Sequence, residues 1–130
     1  MNEPIQEKEY DENIYHPNNL NAKQFIAFTF VRNWIDAIER ALAEAENQGP
    51  DYELLLVPPF RLQIQGKGGT GKSFWLHCVA AYIQQYCKNK NLLKIMAPTG
   101  TAAFSINGTT LHSELKIPIN YSKEKVCKLY

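Results

Sequence analysis

Eight residues, Gly66-Lys67-Gly68-Gly69-Thr70-Gly71-Lys72-Ser73, have the types and the spacing to hold a phosphate, filling every fixed position of the pattern G-x-x-x-x-G-K-[ST]. Gly68, Gly69 and Gly71 let the backbone turn so that its N–H groups face inward as a nest for an anion. A helix starting at about Gly71 adds unpaired N–H groups and the positive end of its dipole. Lys72 can reach the outer phosphates of a nucleoside triphosphate, and the Ser73 hydroxyl can hold a magnesium ion. The plainer alternative is a glycine-rich surface turn without a ligand.

The flanking sequence favours the phosphate reading. Arg61-Leu62-Gln63-Ile64-Gln65 alternates polar and apolar residues and predicts a short strand. Beyond the loop, apolar residues at 75, 76, 79, 80 and 83 predict an amphipathic helix. Strand, glycine loop and helix is the order that phosphate binding requires. Phe74 and Trp75 open that helix and read as core packing in preference to base-stacking platforms.

The elements that must position this loop follow from pattern. Residues 1–19 are acidic and polar and predict a mobile, disordered leader, with Pro17 marking a turn and His16 solvated. Asn21 is a candidate N-cap for a helix to about Ala45, its stripe formed by Phe25, Ile26, Val31, Trp34, Ile35, Ile38, Leu42 and Ala45. Gly49-Pro50-Asp51 stops it, and Pro58 and Pro59 restrict any strand at 53–57. Lys88-Asn91 predicts a polar turn and Lys94-Ile95-Met96-Ala97 a second buried strand, parallel to the first across the intervening helix. Thr101–Ser105 reads as a short helix and Asn107-Gly108 as a turn, with Thr110 capping a further helix to about Lys116.

Composition narrows the class. The chain has 130 residues, 45% hydrophobic and 21% charged, as expected of one globular domain. It contains no apolar run of the ~20 residues that span a bilayer, and no membrane partner is expected. Its start lacks the basic and apolar segments of a signal peptide. Cys78, Cys87 and Cys127 are widely spaced and read as reduced thiols, not a metal site, which predicts an intracellular protein. Residues 1–60 carry 11 acidic and 4 basic side chains, whereas residues 61–130 carry 2 acidic and 10 basic ones. The basic half suits phosphates of a nucleotide or nucleic acid, unless the two halves simply attract each other.

A second stretch sharpens the reading. Together with the glycine loop, Ala97-Pro98-Thr99-Gly100-Thr101-Ala102-Ala103-Phe104-Ser105-Ile106-Asn107-Gly108-Thr109-Thr110-Leu111-His112-Ser113 resembles the start of the PIF-one-like DNA helicases. These are superfamily-one, 5′-to-3′ ATP-driven motors that include the helicases of Helitron-type transposons. The stretch is similar to that family's motif Ia, which touches the backbone of single-stranded DNA. Leu20-Asn21-Ala22-Lys23-Gln24 resembles its adenine-reading Q-motif, and the likeness runs from about Leu20 to Ile119.

The resemblance implies an α/β fold, an incomplete RecA-like P-loop domain over 20–130 with parallel strands and flanking helices, preceded by an amphipathic helix. It implies ATP and Mg2+ as cofactors, single-stranded DNA as partner, and DNA unwinding linked to repair, recombination or telomere maintenance. The expected compartment is the nucleus of a eukaryotic cell, or the mitochondrion, and a monomer is expected. Gln24 would read adenine, the loop residues 66–73 would bind the nucleotide, and Lys72 and Ser73 would act in catalysis. Pro98, Thr99, Gly100, His112 and Ser113 would line the DNA path. From the residues alone, Gln24 also fits a solvated first turn, Pro98–Gly100 a strand-ending turn, and His112 a cap or an interior histidine. Lys116, Lys123, Lys125 and Lys128 fit either a DNA-facing rim or a solvated face.

Hydrolysis by this class also needs an apolar strand ending in acidic residues and an arginine finger. Past the glycine loop there is no aspartate; the acids there are Glu114 and Glu124, and Arg32, Arg40 and Arg61 all precede the loop. The chain therefore reads as the front of a helicase, ending before its magnesium-binding acidic motif. Two other readings stand beside it: a nucleotide- or DNA-binding module without turnover, and a different P-loop enzyme in which the motif Ia match is coincidence.

Overall fold

Helix α1 (Ala22–Gln48) begins at a reciprocal cap. The Asn21 Oδ1 accepts the Gln24 N–H at 3.0 Å, and the Gln24 Oε1 accepts the Asn21 N–H at 2.9 Å, so two backbone donors at the helix start are satisfied. A computed structural model describes residues 9–48, 57–69, 71–88 and 93–117 of the chain. It divides into two units, Met1–Leu93 and Lys94–Tyr130.

In the first unit α1 packs on α2 (Lys72–Tyr86). Phe28 and Ile35 of α1 meet Cys78, Val79, Ile83 and Cys87 in one core, with Val31, Trp34, Trp75 and Tyr82 packed around it. Fully burying a side chain such as Phe28 or Ile35 stabilises by about 1.5–3 kcal/mol. Phe25 and Ile26 do not join the expected stripe; they are 40% and 59% exposed. At 3.6 residues per turn Ile26 points roughly 160° away from Phe28, and it is Phe28 that meets Tyr82 edge-on at 5.8 Å. Helix α2 is buried on more than one face, through His77, Cys78, Val79, Ala80, Ala81 and Ile83. It ends at Tyr86, before the predicted turn, of which residues 89–91 lie outside the described residues.

Three expectations meet different outcomes around this pair. Of the leader expected over 1–19, residues 1–8 lie outside the described residues, while Tyr10 and Tyr15 lie against α2. Tyr15 contacts Phe74 at 5.6 Å and His77 at 5.4 Å, Tyr10 contacts His77 at 5.3 Å, and the Tyr10 N–H donates to the Gln84 side chain at 3.3 Å. A 3-10 turn over Pro17–Asn19 is capped by the His16 ring nitrogen. The strand expected at 61–65 is not formed; residues 58–69 are exposed and irregular up to a turn at 68–69. A strand's N–H and C=O groups need a neighbouring ladder. Segment 58–60 is held by side chains instead, with the Trp34 indole N–H donating to the Pro58 carbonyl at 2.9 Å and Phe60 edge-on to Trp34 at 5.2 Å. The expected helix stop at 49–51 and residues 53–56 of the expected strand lie outside the described residues.

The second unit contains the parallel pair. Strand β1 (Met96–Ala97) leads through α3 (Gly100–Ser105) to β2 (Thr109–Thr110), then to α4 (Leu111–Glu114). Met96 pairs with Thr109 and Ala97 with Thr110. The partner of the predicted Lys94–Ala97 strand is thus Thr109–Thr110. The return is tight because α3 ends in a Schellman turn. Asn107 adopts a φ of 56°, and the Gly108 N–H donates to the Ala103 carbonyl at 2.8 Å. A Cβ at Gly108 would stand 2.6 Å from the Ile95 carbonyl oxygen, so glycine is what lets the strands approach. Thr110 caps α4 as predicted, its hydroxyl accepting the Ser113 N–H at 3.3 Å.

Candidate functional site

The glycine loop meets the start of α2 at Gly71, the helix N-cap. Gly69 and Gly71 have φ values of 79° and 83°, the left-handed region that a side chain resists. No side chain caps α2 at Gly71, and Lys72 and Ser73 stand exposed on its first turn. The Lys72 ammonium donates to the Gly66 carbonyl and, at 3.4 Å, to the Lys67 carbonyl, so it folds back over the loop. A Cβ at Gly68 or Gly69 would meet nothing within 4 Å, which leaves the loop's outer face open. Left-handed glycines, uncapped helix N–H groups and a lysine over the loop fit a triphosphate; the Ser73 hydroxyl on that turn fits magnesium. Thr70 lies outside the described residues.

Gln24 joins α1 to this loop. Its Nε2 donates to the Gly71 carbonyl at 3.2 Å, and its own carbonyl accepts the Trp75 indole N–H at 3.0 Å. Nothing in local sequence signals these two bonds, because they span 47 and 51 residues. Gln24 is therefore not a solvated first-turn residue: it closes the cap of α1 and abuts the loop that would carry the nucleotide. Phe74 and Trp75 pack in the core region, as read from their place on α2. A cleft of about 270 Å3 lies farther along α2, lined by Phe25, Arg32, Cys78, Tyr82 and Tyr86 among others, and takes in none of the loop residues. Burial pushes the Cys78 and Cys87 thiols up to about 11, which leaves them protonated and unreactive near neutral pH.

In the second unit Pro98, Thr99 and Gly100 follow β1, and His112 and Ser113 follow β2. Because the strands are parallel and Ala97 pairs with Thr110, both groups leave from the same, C-terminal end of the pair. That is where α/β sheets bind ligands. All five residues are exposed, so His112 is not an interior histidine. The Thr99 hydroxyl accepts the Ala102 N–H at 3.2 Å and so caps α3. Glu114 is engaged by the Lys94 ammonium and accepts the Thr109 hydroxyl at 3.2 Å. The Lys94 hydrogen bond first, then that of Thr109, holds its carboxyl below the usual range. The sequence gives no hint of this triad, whose members come from the β1 lead-in, β2 and α4.

A glycine loop opening a helix, and a parallel strand pair with exposed residues at its C-terminal end, define an α/β protein with a phosphate-binding motif. The family model for the PIF1-like helicase matches residues 59–130, more than half of the chain, and the chain belongs to that family. The match covers the glycine loop and the 97–113 stretch but not Gln24. No curated protein and no solved structure matches the chain.

Proposed function

We propose that the chain is the N-terminal portion of an ATP-dependent DNA helicase, with a RecA-like P-loop fold that binds ATP-Mg at Gly66–Ser73 and single-stranded DNA at Pro98, Thr99, Gly100, His112 and Ser113. The observation that carries this reading is the loop itself: two left-handed glycines leading into an uncapped helix with Lys72 and Ser73 on its first turn. ATP supplies the free energy for moving along DNA. Lys72 neutralises the outer phosphates, the loop N–H groups orient them, and Ser73 holds magnesium. Gln24 contacts adenine through its amide, exchanging the Gly71 bond for one to the base. The unwinding serves repair, recombination or telomere maintenance, and the protein acts as a monomer in the nucleus or mitochondrion.

A second reading, a nucleotide- or DNA-binding module without turnover, is favoured by one observation. Glu114, one of two acids past the loop, is committed to Lys94 and Thr109. ATP turnover by the chain, with and without single-stranded DNA and beside Lys72→Ala, separates the two. DNA-stimulated turnover that Lys72→Ala abolishes supports the motor. Nucleotide binding without turnover supports the module, and equal turnover by parent and variant overturns the phosphate-loop assignment.

A further inference from the structure

Phe104 is 85% exposed, the most exposed large apolar side chain among the described residues. Its helix neighbour Ala103 is 4% exposed, so α3 turns its small residue inward and its ring outward. A helical side chain leans over the turn that precedes it, here Gly100 and Thr101 at four and three residues back. Gly100 has no Cβ and open space where one would be, and residues 98–102 are all exposed. The ring thus leans over the turn that starts at Gly100, the residue that directly follows Pro98 and Thr99, and is left uncovered.

The surroundings decide what suits this ring. A protein interface favours a contiguous apolar patch. Along the segment that flanks Phe104 are instead the exposed, hydroxyl-bearing Thr99, Thr101 and Ser105, with Pro98, Ala102 and the buried Ala103 as small apolar residues and Ile106 half-buried. An exposed aromatic face in a segment, residues 95–113, that carries no acidic side chain suits a nucleobase whose phosphates lie on the polar groups. We propose that Phe104 is a stacking platform for one base of the single strand, set beside the backbone contacts at Pro98–Gly100. This rests on the DNA path of the proposed function and adds to it a residue that contacts the base, not the phosphate. Stacking accepts any base, which is what a motor moving along mixed sequence needs.

The test uses the whole chain, a fluorescent oligothymidylate and an abasic oligomer of equal length and charge. Phe104→Ala and Phe104→Leu should each weaken oligothymidylate binding by about tenfold, and Phe104→Tyr should keep it. The parent should prefer the oligothymidylate to the abasic strand, and Phe104→Ala should lose that preference. Unchanged melting of the variants shows that the fold is intact. If Phe104→Ala binds as tightly as the parent, the stacking role falls while the DNA path stands. If Phe104→Leu binds normally where Phe104→Ala does not, the ring serves as general apolar contact and the proposal fails. A parent chain that binds neither strand overturns both the path and the platform.

Discussion

At Gly71 two demands coincide on one residue. Its φ of 83° is in the left-handed region, and a Cβ built there would lie 2.4 Å from the Gln24 Nε2. The two effects differ in how they can be relieved. The Gln24 amide ends a flexible side chain and can swing aside, giving up its bond to the Gly71 carbonyl. The backbone conformation has no such escape, because the turn into α2 fixes it, and a left-handed residue with a Cβ costs about 1–2 kcal/mol. Gly71→Ala should therefore lower the unfolding free energy by about 1–2 kcal/mol in urea, and most of that loss should persist in a Gln24→Ala background. A loss that disappears in that background would make crowding, not backbone strain, the reason for glycine. The outcome bears on function because the same φ aims the loop's N–H groups.

The α1–α2 pair is the element whose pH response can be argued. Burial raises both thiols facing this core, Cys78 and Cys87, to about 11 from an ordinary value of 9.0, Cys87 also feeling Glu39 and Asp36. Tyr82 is raised as well, by burial first and then by its 2.5 Å hydrogen bond to Asp36. Groups raised in the folded state keep their protons there longer than in the unfolded chain. The contribution of the two thiols is whole below about 9 and is lost as pH rises through about 11, and that of Tyr82 is lost at higher pH still. The urea midpoint should fall over that window, and Cys78→Ala, less stable at neutral pH for its cavity, should show a smaller alkaline fall. A midpoint level across the window would mean that the thiols ionise without opening the core. The elements differ in how far the sequence alone signals them. Asn21 and Thr110 cap helices as read from the sequence, because capping is settled within three residues; Thr99, which caps α3 in the same way, reads from the sequence as part of a strand-ending turn or of the DNA path, not as a cap. The α1 stripe was legible only in part, since α2 selects which apolar residues are inside. Strand pairing was not legible: 61–65 alternates correctly yet pairs with nothing among the described residues, whereas Thr109–Thr110, too short to show a period, completes the parallel pair. The docking of Tyr10 and Tyr15 on His77 has no local signature at all.

At the scale of the whole chain, charge and family coincide. The helicase match begins at residue 59, and the sign of the charge changes there too, from a balance of −7 over residues 1–60 to +8 over 61–130. The part that matches the helicase family is the basic part of the chain. If those cations meet DNA, each phosphate contact on a single strand releases counterions, with about −0.7 in the slope of log affinity against log salt. About four contacts give a slope near −3, and oligothymidylate affinity should then fall roughly 50-fold over a fourfold rise in salt. Removing Phe104 should lower the affinity at every salt concentration and leave the slope unchanged, because stacking releases no counterions. A slope near zero for the parent would mean that the acidic first half neutralises the lysines inside the protein. The basic half would then be matched to the rest of the chain, and not to a nucleic acid.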